Sequence, residues 1–187
     1  MKELSLNILD IAQNSITAGA TFIDISLVET NKELSISVSD DGCGMSDELI
    51  KRVSDPFYTT RTTRKVGLGI PFLKMEAEQT GGSVFIKSKL KSDFPDCHGT
   101  TIISTFNKNH LDFTPLGDII STICVLIHGA DKINVLFTHI YGNNKVELDT
   151  RELKKILGEV PLSSPDVIAW IKDYLHEQYR NTNIQYT

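Results

Sequence analysis

The chain has 187 residues, 40% of them hydrophobic, and a formal net charge of −5. That length suits one domain of ordinary size or a main domain with a small addition, and the mildly acidic balance argues against a nucleic-acid surface. Cys43, Cys97 and Cys124 form no CxxC pair and no His/Cys group at metal spacing, and no apolar run suits a signal peptide or a membrane span. A reduced, cytoplasmic protein without a membrane partner is expected.

Residues 4 to 18 place Leu4, Ile8, Ile11, Ala12 and Ile16 at helical intervals, with Gly19 as the terminating residue. Asn7, Asp10, Asn14 and Thr17 recur at steps of three and four and make a polar stripe, so Asp10 and Asn14 project from one face. TFIDISLV and ELSISVSD alternate with period two around the turn ETNK, which predicts an antiparallel pair. Ser46 caps a short helix to Val53, and residues 54 to 65, SDPFYTTRTTRK, read as a loop. A helix from Gly67 to Thr80 and the strands GSVFIKS and GTTIISTF complete a sheet with helices on one face.

The pattern changes near Asn107. Thr114 and Pro115 open a helix with a stripe from Leu116 to Ile127, and NVLFTHIY and KVELD flank GlyAsnAsn as a hairpin. Asp149 and Glu152 form a capping box, and Ser164-Pro165 starts a last helix. The expected organisation is a domain over 1–107 and a small α+β appendage over 108–187, the latter a candidate partner-binding or homodimerisation module.

Three features carry chemistry. In SDDGCGM, a strand ends on a carboxylate that can accept a hydrogen bond from an amino group such as adenine's, and two glycines let backbone approach closely. The same letters also describe an ordinary tight turn. In KVGLGIPF, Gly67 and Gly69 precede a helix start whose amides suit phosphate, with Arg61, Arg64 and Lys65 supplying positive charge. A plain basic loop fits those residues equally well. The Asp10/Asn14 pair offers a hard oxygen ligand for Mg²⁺ and a carboxylate one turn away that can hold a water, or else a solvated helix edge.

Their order resembles the GHKL ATP-binding superfamily of gyrase B subunits, ninety-kilodalton heat-shock chaperones, sensor histidine kinases and MutL-type mismatch-repair ATPases. LDIAQNSITAGATFIDISL is similar to the N box in its MutL form, and SDDGCGM to the first glycine box. DPFYTTR is similar to the F box, VGLGI to the second glycine box and HGTTI to the last. The resemblance spans residues 4 to 106. It implies a two-layer α/β sandwich with ATP and Mg²⁺ as ligands. Asn14 would hold the metal and Asp40, rather than Asp41, the adenine amino group. Gly42, Gly44, Met45 and Thr100 would line the nucleotide. Arg61, Lys65, Gly67, Leu68 and Gly69 would meet its phosphates, residues 54 to 66 would form a short lid, and Phe57 would pack the lid's base. Asp10 stands where MutL-type and chaperone members place a catalytic glutamate, one methylene longer.

The family's histidine kinases carry a dimerising hairpin with a phosphoacceptor histidine ahead of this domain. Here the N box starts within ten residues of Met1, so a stand-alone form is expected, and His98, His110, His128, His139 and His176 read as ordinary structural residues. Three functional classes stay open: an ATPase switch in a regulatory or assembly role, a protein kinase acting in trans as anti-sigma kinases do, and a nucleotide-responsive binding module. Small hairpin-free domains of this kind also resemble proteins encoded beside iron-only hydrogenase subunits, which implies an associated but unidentified protein partner.

Overall fold

A computed structural model describes residues 3–53, 69–130, 132–182 and 184. The chain runs α1 (Leu4–Thr17), β1 (Phe22–Glu29), β2 (Glu33–Asp40), α2 (Asp47–Val53), α3 (Gly69–Gln79), β3 (Ser83–Lys89) and β4 (Gly99–Asn107). It continues through α4 (Ile119–Gly129), β5 (Asn134–Tyr141), β6 (Asn144–Asp149), α5 (Thr150–Leu157) and α6 (Pro165–Thr182). The strands build one six-stranded sheet in the order β3-β4-β2-β1-β5-β6. Its neighbouring strands are antiparallel except β1 and β5, which run parallel.

Period-two alternation decides which face is covered. Ile23, Ile25 and Leu27 of β1, Leu34, Ile36 and Val38 of β2, and Val135 and Phe137 of β5 are buried in one cluster with Leu4, Ile8 and Ile11 of α1. Ser35, Ser37 and Ser39 of β2 occupy the opposite, half-exposed face. The result is the two-layer sandwich expected from the alternating strands and amphipathic helices.

The expected boundary near residue 107 falls in the connection between β4 and α4, and β5 and β6 extend the same sheet beside β1. A second tie lies at the start of α1. The amides of Leu4 and Ser5 donate to the carbonyls of Pro115 and Leu116 at 3.0 and 2.8 Å, satisfying groups that a helix start leaves unpaired. That task explains why α4 opens at Ile119 and not at Thr114: residues 115 and 116 cross the end of α1, Gly117 turns at φ 76°, and Asp118 caps the helix by accepting from the Ser121 amide at 2.9 Å. Gly19, at φ 74°, follows α1 in the terminating role anticipated for it.

Candidate nucleotide site

β2 ends on Asp40 and Asp41, whose side chains part. Asp41 is consumed by the start of β1, where its carboxylate accepts from the Thr21 amide at 2.7 Å, the Phe22 amide at 2.9 Å and the Thr21 hydroxyl. Burial opposes its charge, but those bonds outweigh it and hold the carboxyl below its ordinary value. Asp40 continues the inward register of Leu34, Ile36 and Val38 and faces α1. One oxygen accepts from the Gly42 amide at 2.9 Å and the other from the Ser15 hydroxyl at 2.7 Å. Each oxygen retains a lone pair for a further donor, and an ionised carboxylate has no proton to offer a carbonyl.

The glycines of the motif are explained by the protein's own close approaches. A β-carbon at Gly42 would sit 2.9 Å from an Asp40 oxygen, one at Gly44 only 1.9 Å from the Lys89 carbonyl oxygen, and one at Gly99 only 1.9 Å from the Asp40 carbonyl oxygen. Backbone to either side of Asp40 is thus pressed against β4 and the end of β3. Thr100 lies opposite Asp40 in the β2/β4 register and its hydroxyl is 2.8 Å from that of Ser88. Ser88 donates to the Gly99 carbonyl at 2.9 Å and accepts from the Met45 amide at 2.7 Å. His98 donates through Nδ1 to the Gly42 carbonyl at 2.7 Å and pins the turn from the other side.

On α1, Asp10 is exposed and Asn14 half-buried. Gly69, the first residue of α3, lies against Asp10, since a β-carbon there would fall 2.9 Å from that of Asp10. α1 thus meets α3 at Asp10 and Gly69 and the end of β2 at Ser15 and Asp40, and Asn14 lies on α1 between these two contacts in the chain. The side-chain oxygens of Asp10 and Asn14 are hard donors of the kind Mg²⁺ prefers, and the Asp40 carboxylate is an acceptor suited to an exocyclic amine. This donor set fits Mg·ATP. Phe57, Arg61, Arg64, Lys65, Gly67, Leu68 and the lid expected over 54–66 lie outside the described residues.

The family of histidine kinase-, DNA gyrase B- and HSP90-like ATPases matches residues 1–110. This chain belongs to that family. Sporulation kinase C of Bacillus subtilis is 34% identical over 105 residues, which cover 50% of this chain and 24% of the kinase. Sporulation kinase E of the same organism is 32% identical over 90 residues, covering 48% of this chain and 12% of that protein. The chain thus matches only a minor part of these relatives' length. The crystal structure of the N-terminal domain of a DNA repair protein is similar with a TM-score of 0.59 at 17% identity, over 80% of this chain and 53% of that one. What that similarity establishes is a shared fold, and its extent reaches beyond the first 110 residues.

Sequence reasoning did not single out Ser15, Ser88 or a structural partner for His98. Ser15 carried a signal: it occupies the core register of Ile8 and Ile11 on α1, where a hydroxyl needs a partner. Asn7, in the polar stripe with Asp10, Asn14 and Thr17, is wholly buried and its amide donates to Glu76 of α3. Cys43 is exposed, and its amide donates to the Ala18 carbonyl. Among the described residues no helix is long and apolar enough to cross a membrane.

Proposed function

We propose that this protein binds Mg·ATP between α1, α3 and the end of β2, and works as an ATP-dependent switch or ATPase in a regulatory or assembly role. The observation that carries this reading is the Asp40 carboxylate, fixed by Ser15 and Gly42 while keeping acceptor capacity for the adenine amino group. Asn14 is the residue for the metal, which when bound neutralises charge on the phosphates. Asp10 is the candidate general base. Its carboxylate orients a water for in-line attack at the γ-phosphorus and takes the water's proton, while the bond to the ADP oxygen breaks.

A second reading is phosphoryl transfer to a partner protein's serine, threonine or histidine. It is favoured by the kinases among its relatives and by the exposure of Asp10, which leaves room for an acceptor side chain. Phosphate release by the purified chain, with and without Mg²⁺, separates the two. Mg²⁺-dependent release supports the switch. Nucleotide binding without release, together with labelling of a lysate protein by γ-labelled ATP, supports the kinase. Absence of both binding and release refutes the proposal.

A further inference from the structure

Helix α6 has two chemically different flanks. Val167, Ile171, Leu175 and Tyr179 face the core. Lys172 and His176 lie toward α4, near enough to the Asp118 carboxylate to favour its charged form. On the other flank Asp166, Trp170, Asp173 and Glu177 follow one another at steps of four, three and four, Tyr174 lies four beyond Trp170, and all five are exposed. Trp170, the chain's single tryptophan, is 51% exposed and stacks on Tyr174, 37% exposed, with ring centroids 5.1 Å apart and planes 11° from parallel. The next residue on that line, Gln178, grips the edge strand β6, accepting from the Glu147 amide and donating to the Glu147 carbonyl. The aromatic pair is therefore held on a rigid ledge beside the sheet.

Large aromatic surfaces on a rigid element are what protein interfaces are built on, and tryptophan and tyrosine dominate their energetics. The charges around this pair select the occupant. Asp166, Asp173 and Glu177 repel anionic lipid, nucleic acid and the same acidic flank of a second copy. They attract cations, and guanidinium groups both pair with carboxylates and lie flat over indole and phenol rings. We infer that the Trp170/Tyr174 flank of α6 is a docking surface for an arginine-bearing basic segment of a partner protein. This inference is independent of the nucleotide reading, since its residues belong to α6 while Asp10, Asn14 and Asp40 belong to α1 and β2.

The test uses the full chain and a fluorescently labelled nona-arginine peptide at physiological salt, with nona-lysine as comparison. Anisotropy reports binding, and Trp170 emission reports its location. Saturable binding that changes Trp170 emission is expected, with nona-lysine weaker by about three- to thirtyfold. Asp173→Asn combined with Glu177→Gln weakens the arginine peptide by about tenfold or more. Trp170→Ala and Tyr174→Ala each weaken it by about three- to thirtyfold. All four positions are exposed, so these variants keep the core intact. Equal binding of the two peptides, unchanged Trp170 emission, or wild-type affinity in the variants overturns the inference. So does a concentration-dependent dimer in sedimentation that Trp170→Ala abolishes, which would make a second copy the occupant.

Discussion

The Ser15 hydroxyl donates a 2.7 Å hydrogen bond to Oδ2 of Asp40, joining the core side of α1 to the last residue of β2. The Gly42 amide bonds to the other oxygen at 2.9 Å, so the carboxylate is held at both ends. An amide in its place would turn an N–H₂ group toward one of these two donors. Asp40→Asn should weaken nucleotide binding by roughly ten- to a hundredfold, the worth of a charge-assisted hydrogen bond. Ser15→Ala should cost about tenfold or less, because it removes only an orienting contact. Titration with a nucleotide analogue checks both, and an unchanged affinity in Asp40→Asn would refute the assignment.

Asp10 is exposed on α1 against the first residue of α3, and under the proposed reading it serves turnover more than binding. Asp10→Asn should slow phosphate release by about a hundredfold or more while nucleotide affinity changes little. Release at the wild-type rate would remove Asp10 from the chemistry.

Gly99 turns at φ 125° with the Asp40 carbonyl oxygen 1.9 Å from where a β-carbon would lie, whereas Gly142 turns at φ 59° in open space. Gly99→Ala should therefore lower stability by about 3 kcal/mol or more, through overpacking and backbone strain together. Gly142→Ala should cost only about 1 to 2 kcal/mol, the conformational penalty alone. Urea unfolding of the two variants measures the contrast, and equal losses would contradict it.

A buried polar chain ties α6 to the sheet. His139 of β5 is fully enclosed, with Nε2 3.0 Å from Glu29 of β1 and Nδ1 2.9 Å from the Tyr179 hydroxyl, and Lys108 pairs with the same glutamate. Tyr179→Phe strips one ring nitrogen of its partner and should cost about 1 to 3 kcal/mol. A variant as stable as the parent in urea would show that the contact contributes nothing.

Acid should destabilise the fold. Burial works against the charges of Asp41 and Asp118, yet their hydrogen bonds outweigh it and hold both below the ordinary carboxylate value, while Asp149 is held down chiefly by its bond from Arg151. Their folded pKa values lie below the unfolded ones, so between the two the unfolded chain binds more protons. The stability they supply is complete above the unfolded value near ~3.9 and is lost as pH falls through the folded values. The urea midpoint should hold steady down to about pH 5 and drop below about pH 4, less steeply in Asp41→Asn. A midpoint that rises on acidification would reverse the sign of the account.

Much of this was legible in the amino-acid order because local patterns and the tertiary fold agree. Alternation in TFIDISLV and ELSISVSD assigns β1 and β2, whereas the preference for Asp40 over Asp41 rests on the family resemblance and not on the alternation. Less legible were features set by distant partners. The parallel pairing of β5 with β1 joins residues more than a hundred positions apart, and no local signal states it. The burial of Asn7 is not stated locally, because its partner, Glu76, lies on another helix. Thr114 and Pro115 read as a helix start because nothing in their neighbourhood announces that the next residues cap α1.

The most direct test of the central claim is calorimetry of the full chain with adenylyl imidodiphosphate, with and without Mg²⁺, alongside Asn14→Ala and Asp40→Asn. The account predicts saturable, Mg²⁺-strengthened binding that Asn14→Ala makes insensitive to the metal and Asp40→Asn weakens strongly. Binding that neither substitution alters, or no heat at all in the parent protein, would contradict it.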